Sequence, residues 1–132
     1  MPQVNYNGKT VSDENIKTVL DRIATRLGGD VSVTSGDRNY VPQGGSQTSL
    51  HIGKRAADFS VAGFSLGGAF AQLKAHEKEI FDNDKRYEVI HHGTHTATGG
   101  QHLHVGRFSE GVGVGWLVEG LEETAKGVYS AG

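Results

Sequence analysis

Three residues limit how this chain can fold: His51, Asp58 and His104. Two imidazoles and one carboxylate make a coherent set of zinc ligands. Catalytic zinc is typically held by three nitrogen or oxygen ligands, with the fourth position left to water. That donor set leaves the metal positive overall, so it can acidify water or polarise a carbonyl. The chain has no Cys, which excludes a closed thiolate site. His51 and Asp58 lie seven residues apart. On one helix that spacing would separate them by about 10 Å along the axis, too far for one metal. A loop followed by a strand is required instead, and Gly53 suits the loop. Spacing alone also admits an exposed loop His and a turn-capping Asp.

The rest of the chain reads as α+β, a small antiparallel sheet with helices packed on one face. Residues 11–28 form the first expected helix, with Ser12 as N-cap and Gly28-Gly29 as the stop. Ile16, Val19, Leu20, Ile23 and Leu27 give it one apolar face. Residues 31–34 are alternating and β-branched, so they read as a strand, ending at Ser35-Gly36-Asp37-Arg38. Residues 39–49 are a polar loop. Residues 56–61 form a second strand, with Asp58 and Ser60 on one face and Ala57, Phe59 and Val61 on the other. Ser65 caps a second helix over residues 66–81, and residues 87–91 form a third strand. A Gly/Thr loop over residues 94–100 leads to a fourth strand, residues 102–108. On it His102 and His104 share a face, opposite Leu103 and Val105.

At 132 residues the chain is long enough for an ordinary single core. Twenty glycines, roughly twice the usual share, favour turns and close backbone approaches over long helices. Residues 1–110 are expected to hold the zinc site, and residues 111–132 form a Gly-rich C-terminal segment. Val114, Leu117, Val118, Leu121, Ala125 and Val128 could make that segment a helical stripe, weakened by Gly120 and Gly127. The net charge is −2 and there is no basic stretch, which argues against a nucleic-acid partner. No apolar run approaches the ~20 residues that span a bilayer. Residues 1–10 carry no secretory signal, so synthesis in the cytoplasm is expected.

The stretch Ser49-Leu50-His51-Ile52-Gly53-Lys54-Arg55-Ala56-Ala57-Asp58, with Gln101-His102-Leu103-His104 downstream, resembles the zinc D-Ala-D-Ala carboxypeptidase family. These peptidoglycan peptidases share a fold with the hedgehog signalling domain. The family's first motif reads Ser-x-His-x-x-Gly-x-Ala-x-Asp. Ser49, His51, Ala56 and Asp58 fall in register, whereas Lys54 stands at the glycine position and Gly53 one before it. His104 matches the last zinc ligand, and Ser35-Gly36-Asp37-Arg38 matches an upstream Ser-Gly-x-Arg run. The likeness runs over about residues 31–108.

The resemblance implies a zinc metallopeptidase, a carboxypeptidase or endopeptidase of D,D or L,D type, acting on peptidoglycan stem peptides or cross-links. It implies Zn2+ on His51, Asp58 and His104. It implies that Arg38 contacts substrate or the developing oxyanion, a role suited to a guanidinium. Ser49 binds substrate or holds the metal-loop turn. Several branches keep an acid three residues before the last zinc ligand, but here that position is Gln101, which cannot take a proton. The substitutes are His102 and the His91-His92 pair, whose imidazoles titrate near neutrality. We favour His92 as base, with His102 orienting water or substrate and His91 on the opposite face; His95 is a solvated loop residue. A phage lysis enzyme, or a secreted antibacterial toxin domain with a delivery or immunity partner, would act at the cell wall or periplasm after lysis or secretion. Gln101 keeps a non-catalytic zinc-binding interaction module as the alternative. A metal-dependent nuclease toxin is the weaker rival.

Overall fold

A computed structural model describes residues 2–37, 55–93, 102–119 and 128–130. Among these, the chain order is β1 (Val4–Asn5), α1 (Glu14–Leu27), β2 (Val31–Ser35), β3 (Ala56–Val61), α2 (Leu66–Ala75), α3 (Glu77–Ile80), β4 (Arg86–His92), β5 (His102–Phe108), β6 (Gly113–Glu119) and β7 (Val128–Ser130). The strands form one sheet in the order β1-β2-β3-β5-β4-β6-β7.

The α+β class is as expected, but the sheet is mixed and not wholly antiparallel. Strand β1 runs parallel to β2, and β6 runs parallel to β4. The second parallel pair has a simple cause. The chain reverses after β5 and steps across β4 before re-entering the sheet. A strand that reverses against β5 must run with β4, because β4 and β5 are themselves antiparallel. The crossing is tight: Gly111 and Gly113 take φ of 96° and 102°, a region open to glycine. The Gly113 amide donates to the Lys85 carbonyl at 3.0 Å.

Strand β6 also corrects the expected helical C-terminal segment. Its register with β4 runs unbroken from Arg86↔Gly113 to His92↔Glu119. Val114, Trp116 and Val118 pack on the core with a period of two, so the apolar residues that suggested a helical stripe are in part a strand face. Gly113 and Gly115 disfavour a helix here. Trp116 meets Phe70 and Phe81 edge-on, with ring centroids 5.6 and 5.7 Å away, and donates its indole N–H to Glu77 at 2.7 Å. The expected single helix over residues 66–81 is split at His76, which leaves helical dihedrals at φ −110° and ψ 26°. That break lets α2 and α3 present Phe70, Ile80 and Phe81 to the core together.

Strand alternation sorts the sheet into two faces. Val31, Val33, Ala57, Phe59, Val61, Tyr87, Val89, Leu103 and Val105 are buried with Ile16, Val19, Leu20 and Ile23 of α1 and Leu73 of α2. The helices therefore cover this face, and the alternate residues of β3, β4 and β5 point the other way.

Helix α1 is tied to the sheet at its first turn. Asp13, not Ser12, is the N-cap, and its carboxylate accepts from the Ile16 amide at 3.1 Å. The same carboxylate accepts from Arg107 of β5 at 2.8 and 3.1 Å. Ser12 instead donates its amide and hydroxyl to Asp37. Asp and Ser cap equally well, so the bidentate arginine decides between them. Burial would raise the Asp13 pKa, but Arg107 and the Ile16 amide outweigh it and hold the carboxyl below the usual range.

Asp13→Ala should lower the unfolding free energy by about 1–3 kcal/mol, through loss of the cap and of a partly buried ion pair. Asp13→Asn keeps a capping side chain and should cost less. A native pKa below the unfolded one means that the carboxylate stabilises above about pH 4 and loses that effect as pH falls through the native value. Denaturation across this range should show the gap between the wild type and Asp13→Asn closing towards acid.

Candidate metal centre

The antiparallel pairing of β3 with β5 sets Asp58 directly opposite His104. On the other side of β5, β4 places Ile90 opposite His104 and His92 opposite His102. Parity then brings Asp58, Glu88, His92, His102 and His104 to the face away from the helices. Asp58, His92 and His104 are buried there, at 5 to 7% exposure.

His104 is the centre of the group. Its Nδ1 lies 3.1 Å from Asp58 Oδ1, and its Nε2 lies 2.7 Å from Glu88 Oε2. His102 Nε2 stands 3.5 Å from the second Asp58 oxygen. The His92 ring lies 4.4 Å from the His102 ring and 6.2 Å from the His104 ring, centroid to centroid. Burial alone would depress the His104 pKa, since a buried imidazolium loses its hydration. Hydrogen bonds to Asp58 and Glu88 overcome that and raise it to about 9. Among the described residues, no buried side-chain nitrogen or oxygen is left without a partner.

Two of the three expected zinc ligands, Asp58 and His104, are therefore neighbours. Arg38, Ser49 and His51 lie outside the described residues, as do His95 and Gln101. Among the described residues no group of three His, Asp or Glu side chains is arranged to hold a metal as it stands. The donor chemistry nonetheless suits zinc. Two ligands at ~2.0–2.1 Å on tetrahedral zinc sit about 3.3 Å apart, and Asp58 Oδ1 and His104 Nδ1 are separated by 3.1 Å.

Glu88 is the residue that sequence reasoning missed. With Gln101 three residues before His104, the sequence points to His91, His92 and His102 alone as proton carriers. Glu88 arrives from the adjacent strand, and the signal for it was present: alternation puts it on the same face as His92. His91 takes the opposite face, against Phe70 at 5.8 Å, where burial lowers its pKa. Part of the Ser35-Gly36-Asp37-Arg38 run is structural. A Cβ on Gly36 would come within 2.1 Å of the Thr10 carbonyl oxygen. The Asp37 amide donates to that oxygen at 2.7 Å. The β2–β3 register shifts between Val33 and Ser35, which brings Ser35 opposite Asp58.

His91→Leu should change the unfolding free energy by less than ~2 kcal/mol and leave metal affinity at the wild-type level. Loss of metal in a folded His91→Leu protein would contradict this placement.

Residues 4–93 match the model of the peptidase M15 family. The match begins at β1, earlier than the motifs at Ser35 and Ser49, and ends after β4, before His102 and His104. No curated protein and no solved structure matches the chain. The match covers more than half of the sequence and includes the whole Ser49–Asp58 motif, so the chain belongs to the peptidase M15 family, the zinc D-Ala-D-Ala carboxypeptidase-like peptidases.

Proposed function

We propose that this peptidase is zinc-dependent and hydrolyses peptidoglycan stem peptides or their cross-links. The observation that carries the proposal is the buried Asp58–His104 pair, 3.1 Å apart on the sheet face, in a chain of the peptidase M15 family. His51, Asp58 and His104 would hold the metal. Bound zinc supplies a Lewis acid that polarises the scissile carbonyl and activates water. Arg38 recognises a substrate carboxylate through paired hydrogen bonds, and Ser49 binds substrate or holds the metal-loop turn. His92 takes the proton, and His102 orients water or substrate. Their tilted rings, with centroids 4.4 Å apart, and the 3.5 Å approach of His102 to Asp58 support these roles. With peptidoglycan as substrate, the chain works at the cell wall or periplasm, as a phage lysis enzyme or a secreted antibacterial toxin domain. No helix among the described residues is long and apolar enough to cross a membrane.

One observation favours a second reading, a non-catalytic zinc-binding module. Gln101 stands where several branches of the family keep an acid, and the carboxylate Glu88 is engaged with His104.

Metal analysis should show one zinc per wild-type chain and near-complete loss in His51→Ala and His104→Ala. A full equivalent retained by either variant removes that residue from the ligand set. Mass spectrometry of fragments released from purified peptidoglycan should identify one cleaved peptide bond. Arg38→Ala should cut turnover strongly with zinc content intact. His92→Ala or His102→Ala should lose at least ~100-fold in rate, the lower end of acid–base catalysis, and still bind zinc. Zinc-loaded wild type that releases no fragments would establish the binding module instead.

A further inference from the structure

We propose that Glu88 is a positioning residue that fixes which nitrogen of His104 faces the metal. The inference rests on His104 being a zinc ligand, as proposed above, and adds a residue from a different strand to that centre.

The two nitrogens of His104 have different neighbours. Nδ1 lies beside Asp58 Oδ1 at 3.1 Å, so it is the nitrogen turned towards the other ligand of the pair. Nε2 lies 2.7 Å from Glu88 Oε2, on the side turned away from Asp58. An ionised carboxylate only accepts hydrogen bonds. Its contact with Nε2 therefore requires a proton there. Without zinc, Nδ1 beside Asp58 meets the same requirement; zinc held between Nδ1 and Asp58 would replace that proton, and the one N–H left on the neutral ring would be the Nε2–H that faces Glu88. Ligating histidines are commonly fixed in this way by a carboxylate on the far nitrogen, which sets both tautomer and ring orientation.

The sheet register explains why Glu88 can do this. Glu88 pairs with Gly106, two residues beyond His104 on the same face of β5. Gly106 has no side chain, which leaves the Glu88 side chain room to lean diagonally onto the His104 ring. Glu88 is not placed as the proton carrier that Gln101 cannot be, because its carboxylate meets His104 on the nitrogen away from Asp58.

Zinc affinity tests the role directly. Competition with a chromophoric chelator should show Glu88→Ala binding zinc about 10–100-fold more weakly than wild type, the range for loss of such a partner. Glu88→Gln retains an acceptor oxygen and should recover most of that loss. A merely structural Glu88 would lower the thermal midpoint of the metal-free protein and leave zinc affinity unchanged in the folded variant. Wild-type affinity in folded Glu88→Ala, or a Glu88→Gln as weak as Glu88→Ala, would overturn the proposal. His104→Ala, measured alongside, separates the two levels of inference. If it binds zinc as wild type does, His104 is no ligand and the metal assignment itself fails. If it loses zinc while Glu88→Ala does not, only the role of Glu88 fails. A measurement on wild type needs no variant to fold: long-range 1H–15N NMR of the zinc-loaded protein should show His104 protonated at Nε2. A proton at Nδ1 would overturn the assignment.

Discussion

A buried imidazole held between two buried or half-buried carboxylates is the interaction around which this sheet is organised. Burying a charge costs several kcal/mol unless it is paired and hydrogen-bonded. His104 meets that requirement on both nitrogens, with Asp58 on one side and Glu88 on the other. The three residues come from three adjacent strands, β3, β5 and β4. A one-residue slip in either pairing would turn one partner into the apolar face. The register of the central sheet and the existence of the polar cluster therefore depend on each other.

The opposite face makes that register secure. Phe59, Leu103, Val105, Tyr87 and Val89 alternate with the polar residues and are buried under the helices. Two polar links then fix where the helices sit. Arg107 of β5 grips Asp13 at the start of α1, and Glu77 of α3 accepts from Trp116 of β6. Trp116 is wedged between Phe70 and Phe81, which holds β6 against the α2–α3 corner. Strand β6 is thus part of the framework that carries β4, and β4 in turn delivers Glu88 and His92.

The family gives this arrangement a chemical context and also marks its peculiarity. Membership of the peptidase M15 family accounts for a centre built from His and Asp. The matched region stops before β5, so the closing strand with His102 and His104 stands on its own geometry. At position 101 the chain has an amide, where the family resemblance implies an acid in several branches. A carboxylate that reaches the cluster from another direction, Glu88, contacts His104 itself. Our proposal that it positions His104 assigns that carboxylate to holding the centre together, and leaves proton transfer to imidazoles.

The sequence determined much of this by local rules. Strand alternation over residues 56–61 and 102–108 placed Asp58, His102 and His104 on one face and the apolar residues on the other, because the side-chain period of a strand is two. The same rule separated His91 from His92. The apolar spacing of residues 16–27 determined α1, and Gly28 its end. Only the tertiary structure decided what depends on partners distant in sequence. Arg107 chose Asp13 over Ser12 as the cap, through a contact 94 residues away. Trp116 packing accompanies the break at His76, and the crossing over β4 made residues 113–119 a parallel strand where spacing had suggested a helix. Glu88 belongs to both kinds: its face was legible from alternation, but its partner was not. Which imidazole nitrogen it meets is fixed by the pairing of β4 with β5, and no spacing along a single strand encodes that pairing.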